Sequence, residues 1–164
     1  MYRLSFLFFL SLFFLSSYAQ AGVLPDGGIK LSAGKKQFIS KGRSYIKWND
    51  YCFDTKMGCA RFQVLRKEKV PVFGYLKIIF DKAKKQDFKK YCEDVYKESV
   101  AIDKTLKDFN FDSAAGGNAP LLRCFWQGKK DVTNFFWKSG VIILVNTSET
   151  YDVKPLIKEA TLNE

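Results

Sequence analysis

The sequence predicts an α+β fold: a single antiparallel sheet of about six strands in the order βββα-βββα, with one long helix packed on a face, a short C-terminal helix and two disulfides. Three observations predict this class. Strand patterns and helical patterns alternate in that order along the chain. The later strand patterns are joined by short glycine-containing connections, which are typical of hairpins. Four cysteines, an even number, allow two disulfides to hold the helix and the sheet together.

The first three strand patterns span residues 45–52, 60–65 and 75–80. In the first of them, Ile46 and Trp48 fall on one face while the polar residues between them fall on the other. Alternation with a period of two indicates a strand that is buried on one side only. We therefore expect these three segments to pair as neighbours on one sheet.

A helical pattern follows, from about Lys84 to a point before Asn110. Its apolar residues recur at intervals of three, four and seven, which places them in one stripe along a helix. A loop of small residues is expected at residues 112–120. The stripe consists of Phe88, Cys92, Val95, Ile102 and Leu106.

Three more strand patterns span residues 121–126, 132–137 and 141–146. Residues 141–145 are apolar on both faces, so this strand is expected at the centre of the sheet with both faces covered. A short helix is predicted from about Lys154 to Ala160. It would pack its apolar residues onto the sheet.

The N-terminus has the three-part pattern of a secretory signal peptide, assigned to residues 1–21. A positively charged start is followed by an apolar run at residues 4–15 and then by small residues. A membrane-spanning helix needs about 20 apolar residues, and this run is shorter. We expect cleavage after Ala21, with Ala19 as the alternative, and export to the periplasm or the extracellular space.

The remaining chain is predicted to contain an N-terminal arm at residues 22–43 and one domain at residues 44–164. The arm is rich in glycine and lysine and shows little periodicity, with at most a short strand around Ile29 or Phe38. The whole chain carries a net charge of +10. Such a surplus favours anionic partners, although it also serves simply to keep a protein soluble.

The four cysteines are predicted to form two disulfides, since disulfides are usual in exported domains. Cys52 and Cys59 flank a turn-like stretch and are expected to pair across a hairpin. That leaves Cys92, in the helical pattern, for Cys124, in a strand pattern. A zinc site is the competing interpretation, but no pair has the Cys-x-x-Cys spacing.

The sequence contains no histidine, which reduces the number of catalytic mechanisms that the protein could use. It excludes Ser-His-Asp and Cys-His nucleophiles and the histidine-based zinc hydrolases. Paired cysteines would exclude thiolate catalysis as well. The residues therefore favour a non-enzymatic protein over an enzyme, and no cofactor or metal is predicted.

Basic residues in two predicted loops, with two tryptophans, form the candidate site for an anion or a partner. If the loops converge, the lysines and the arginine would bind anions and the indoles would stack on bases or sugars. A solvated surface is the alternative interpretation, and no nucleic-acid-binding motif accompanies the residues. The candidates are Arg66, Lys67, Lys69, Lys129, Lys130, Trp126 and Trp137.

Two loop motifs are further candidates for an ion-binding site. Residues 108–112 have oxygen ligands at positions 1, 3 and 5 of a calcium loop but lack the glycine at position 6 and the acid at position 12. Residues 113–118 could cradle an anion but lack the phosphate-loop pattern. Helix-end and loop roles explain both better.

The sequence thus predicts an exported, basic, non-enzymatic binding protein that engages a protein partner or an anionic glycan or lipid surface. One alternative is an inhibitor or immunity protein against an exported enzyme, which would project the loop at residues 53–58. Another is a secreted hydrolase or lyase that uses carboxylate and lysine chemistry. A carrier with an apolar cavity between helix and sheet is a third.

Overall fold

The computed structural model of the protein describes residues 20–50, 58–79, 83–114 and 120–163. Strands dominate these residues, and helices are few. The elements in chain order are β1 (Gln20–Val23), β2 (Ile29–Ala33), β3 (Lys36–Ser40), β4 (Ile46–Asn49), β5 (Gly58–Val64), β6 (Val72–Ile79), α1 (Phe88–Ile102), β7 (Lys107–Ala114), β8 (Leu121–Gln127), β9 (Val132–Lys138), β10 (Val141–Thr147), α2 (Lys154–Lys158) and β11 (Thr161–Asn163).

The strands form two antiparallel sheets. The small sheet has the order β1-β2-β3-β11, and the large sheet has the order β4-β5-β6-β10-β9-β8-β7. The prediction of a single sheet of about six strands in an α+β fold is therefore wrong: the protein is mostly β. The six strands predicted for the domain all belong to the large sheet, with β10 at its centre as expected, whereas the short strand expected around Ile29 or Phe38 falls in the small sheet.

Most of the small sheet is built by the segment that the sequence predicts as an arm. Residues 22–43 contain β2 and β3 and part of β1. Glycines occupy positive-φ positions in the turns, at Gly27 and Gly34, and they interrupt the alternation that reveals longer strands. The core-facing side chains of these strands are nevertheless completely buried, namely Ile29, Leu31 and Phe38.

The sequence pattern also fails to predict the edge strand β7, for a different reason. The helical stripe appeared to continue through Leu106, but α1 ends at Ile102, where Asp103 adopts an extended conformation. The Asp103 carboxylate accepts hydrogen bonds from the backbone and the hydroxyl of Thr105, which stabilise a turn instead of another helical turn. The chain then returns as β7, whose register shifts beside Asp108, a residue with φ of 60°.

The large sheet is the central layer. One face is covered by the small sheet and α2, and its core includes Phe62, Leu76 and Phe136. The opposite face carries α1, which packs over β8, β9 and β10. Neither helix of the described ranges has the length and apolar character needed to span a membrane.

The disulfide between Cys92 and Cys124 confirms the predicted link from helix to strand. Both residues are fully buried between α1, which contains Cys92, and β8, which contains Cys124. Cys59 is disulfide-bonded as well. Its predicted partner, Cys52, lies outside the described residues, so that pairing stays a prediction.

Candidate binding groove

The helix leaves part of the large sheet uncovered by any described residue, over β4, β5 and β6. Side chains there form two rows that run across the strands, because cross-strand partners in an antiparallel sheet share a face. The registers place Arg61 beside Tyr75, and Gln63 beside Phe73. The first row consists of Asn49, Arg61, Tyr75, Asn146, Thr133 and Trp126.

A cavity of about 640 Å³, which we call the main chamber, lies over part of these rows: its lining includes Asn49, Arg61, Tyr75 and Asn146 of the first row together with Gln63 and Phe73. Its lining is contributed by β4, β5, β6 and β10 and by the β8–β9 turn. A second cavity of about 300 Å³, the side chamber, lies between the sheet and the C-terminal end of α1. Tyr75 and Asp131 line both cavities, so the two chambers are adjacent at these residues. Together they form the groove.

The main chamber exposes large aromatic side chains on a sheet face. Phe73 is 54% exposed and Tyr75 is 37% exposed. At the side chamber, Ile102 is 90% exposed beside the more buried Val95 and Leu106. Several exposed apolar side chains close together mark interaction sites more often than isolated ones do.

A polar network fixes the junction of the two chambers. Asn146 Nδ2 donates hydrogen bonds to Asp131 Oδ2 at 2.9 Å and to Thr133 Oγ1 at 3.2 Å. Burial raises the pKa of the nearby Tyr75 hydroxyl, and the Asp131 carboxylate raises that pKa further, while Lys77 opposes the change. Tyr75 therefore stays neutral at physiological pH and can donate a hydrogen bond to a ligand.

The structure places some of the basic candidate residues in the groove and others outside it. The registers place the β5–β6 loop and the β8–β9 turn at the same end of the large sheet. Lys130 lines the main chamber, whereas Lys129 lines neither chamber. In the β5–β6 loop, Lys67 and Lys69 are exposed outside both chambers. Arg66 donates hydrogen bonds to the Val70 carbonyl and to Glu149, so it stabilises its own loop.

The two candidate tryptophans are core residues. Trp126 is 2% exposed and packs against Tyr96, Phe109 and Phe135, with its ring at the border of the side chamber. Trp137 is 9% exposed, and its indole N–H donates to the Ala83 carbonyl at 2.7 Å. Their burial leaves little ring surface for stacking, and the exposed aromatic residues of the groove are Phe73 and Tyr75 instead.

The sequence pattern of β5 puts Arg61 and Gln63 on the face opposite Phe62, but it does not reveal the groove. The alternation of side chains along β5 is sufficient to assign these residues to the two faces of the strand. In β6, residues 72–76 are apolar on both faces, so the pattern did not show that Phe73 and Tyr75 are exposed.

The candidate calcium loop at residues 108–112 does not line the groove. Residues 108–112 form part of β7, and Asp112 pairs with Arg123 at 3.7 Å and with Lys154 at 3.2 Å. No cluster of three or more potential metal ligands occurs among the described residues. Most of the loops at residues 53–58 and 113–118 lies outside them.

Comparisons with known proteins give no match: no family model, no curated protein and no solved structure matches this chain.

Proposed function

We propose that this chain is an exported, non-enzymatic binding protein whose groove holds an extended, acidic segment of a partner protein. The observation that carries the proposal is the pair of exposed aromatic side chains, Phe73 and Tyr75, in a chamber that is also lined by Arg61 and Lys130. Aromatic side chains combined with arginine are the residues that most often dominate binding at protein interfaces.

The charge of the groove favours an acidic ligand. Arg61 and Lys130 line the main chamber in a chain that carries a net charge of +10. Among the described residues, Asp131 is the one acidic residue in the main-chamber lining, and Asn146 donates to one of its oxygens. The positive net charge of the chain would speed the association of an acidic partner and would select against basic ligands.

The shape of the groove favours an extended segment. In the lining of the main chamber, Asn49 and Gln63 offer side-chain amides. An amide side chain both donates and accepts, so it can pair with peptide groups of a bound chain. The side chamber then offers an apolar site, formed by Val95, Leu106 and Leu144, for one aliphatic or aromatic anchor.

An anionic lipid or glycan surface is the less favoured ligand class. The exposed lysines of the β5–β6 loop lie outside both chambers, and the groove is a concavity instead of a flat basic face. The part of the proposal that concerns export is supported by the N-terminal pattern and is compatible with the Cys92–Cys124 disulfide.

The carboxylate–lysine enzyme remains an alternative because Lys130 and Asp131 both line the main chamber. They are consecutive residues of one turn, closed by a hydrogen bond from the Gly128 N–H to the Asp131 carbonyl. The Asp131 carboxylate also binds Asn146, which fixes it as part of the turn. This arrangement favours a structural role over acid–base chemistry.

The experiment is a binding titration of the processed chain with labelled peptides. The probe is a peptide in which glutamate alternates with leucine and tyrosine, and the control replaces every glutamate with glutamine. We expect saturable binding of the acidic peptide that weakens as salt rises. Vesicles with anionic lipid and heparin are titrated in parallel. Binding of these surfaces without binding of the peptide, or equal binding of both peptides, would contradict the proposal.

A further inference from the structure

We infer that the side chamber holds a lysine side chain of the partner segment, with its ammonium group at the carboxylates of Asp103 and Asp131. The inference rests on the proposed function, because it names the anchor residue that the same groove selects. The groove would then bind charges of both signs: acidic residues of the segment in the main chamber, and one basic residue in the side chamber.

The lining of the side chamber is acidic. Asp103, directly after α1, and Asp131, in the β8–β9 turn, both line it, whereas the described residues contribute no lysine or arginine to this lining. Lys77 is the cross-strand neighbour of Leu144, yet it lies outside the lining. A concavity with negative charge favours a cation. The side chamber therefore differs from the main chamber, which Lys130 lines.

The carboxylate of Asp103 is held in place beside the end of α1. The hydroxyl and the backbone N–H of Thr105 both donate to Asp103 Oδ1, at 2.7 and 2.8 Å, and these bonds lower the pKa of Asp103. Both bonds reach the same oxygen, so Oδ2 can accept from a ligand. The last turn of α1 contains no basic residue. The partial negative charge at the C-terminal end of a helix also favours a cation there.

The apolar part of the side chamber fits the methylene groups of lysine. Val95, Leu106 and Leu144 line it, together with the rings of Tyr75 and Phe135. Lysine packs its methylene groups along apolar surface and keeps its ammonium group in a polar setting. The faces of aromatic rings attract cations as well. An ammonium group can donate in three directions, which suits two carboxylates on separate elements better than the planar fork of arginine does.

The test extends the peptide titration described above. Each leucine of the acidic probe peptide is replaced in turn by lysine or by norleucine, which has the same four-carbon chain without the amine. We expect one position at which the lysine peptide binds about fivefold more tightly than the norleucine peptide, the effect of a good ion pair that is partly exposed. Lysine makes the peptide less acidic, so long-range attraction to the basic chain cannot produce this gain.

An Asp103→Asn variant localises the effect. The side-chain oxygen of asparagine can still accept both bonds from Thr105, so the turn is retained. The variant should lose the preference for lysine and should bind the norleucine peptide as the parent chain does. Asp94→Asn is the matched control, because Asp94 is exposed on α1 and lines neither chamber. This control should keep the preference.

The outcomes separate the lysine anchor from the proposed function. Equal binding of the lysine and norleucine peptides at every position would overturn the anchor and leave the acidic segment as the ligand. A preference of unchanged size in Asp103→Asn would also overturn the anchor, whether or not both peptides bind more weakly. If no acidic peptide binds the parent chain, the proposed function fails and the lysine anchor fails with it.

Discussion

The side-chain amide of Asn146 donates a 2.9 Å hydrogen bond to the carboxylate of Asp131, which ties the central strand β10 to the β8–β9 turn. Asn146 is also the cross-strand neighbour of Tyr75. This bond therefore holds the turn that contains Lys130 against the residue where the two chambers meet. The groove is built by contacts between residues far apart in the sequence.

Replacing Tyr75 with alanine should weaken binding of the acidic peptide roughly tenfold, since truncating a central aromatic side chain typically has effects of this size. Tyr45→Ala is the matched control, because Tyr45 is also 37% exposed and lines neither chamber. Fluorescence anisotropy measures both affinities. Equal losses in the two variants would show that the groove is not the binding site.

Replacing Lys130 with glutamate should weaken peptide binding more than replacing Lys129 with glutamate. The two substitutions change the net charge equally, but only Lys130 lines the main chamber. If local pairing with the peptide drives binding, the affinities of the two variants should differ. If long-range attraction drives binding, the affinities should be the same. The slope of affinity against salt concentration is measured for each. Identical affinities and slopes would attribute binding to overall charge alone.

The stability of the protein should decrease as pH rises above about 10. Burial and Asp131 raise the pKa of Tyr75 above its ordinary value of 10.0, and burial raises the pKa of Tyr151 in the same direction. The folded state then holds more protons than the unfolded state, so the free energy of unfolding falls once pH passes the unfolded pKa.

Tyr75→Phe and Tyr151→Phe variants isolate these contributions. Urea unfolding near pH 8 and above pH 10 should show a smaller alkaline loss in each variant than in the parent chain. If the parent and both variants lose stability equally, the two hydroxyl groups are not the source of the pH dependence.

Removing the Cys92–Cys124 disulfide should lower the free energy of unfolding by about 3.7 kcal/mol, which is the loop-closure entropy for this chain separation. The two residues are 32 positions apart. The double variant Cys92→Ala, Cys124→Ala is preferred to chemical reduction, because Cys59 is disulfide-bonded too. Denaturant unfolding measures the change, and an unchanged free energy would mean that the crosslink adds little to the packing of α1.

Much of the large sheet was predictable from sequence because its strands are long enough to show a period. In β5, Phe62 and Val64 alternate with polar residues, and in β10 the unbroken apolar run indicates a central strand. These periodic patterns depend only on residues that are close together in the sequence. Strands of three to five residues between glycine turns, such as β2, carry too few repeats to be distinguished from a loop.

The groove was less predictable, because exposure depends on what covers a residue. Val72 and Phe73 are adjacent and both apolar, yet Val72 is buried against the small sheet and Phe73 is open to solvent. Only the extent of α1 and its attachment at Cys124 decide which part of the sheet stays uncovered. Lys129 and Lys130 are likewise indistinguishable in sequence and differ only in the direction that the turn gives them.

By itself, the sequence determined the positive charge, the absence of histidine, the export pattern and the strands with a clear period, because composition and local periodicity are properties of the chain. The tertiary structure decided that there are two sheets, that Trp126 is buried while Tyr75 is exposed, and that a groove forms beside α1. These features depend on which distant segments pack together, and packing is set by the whole fold.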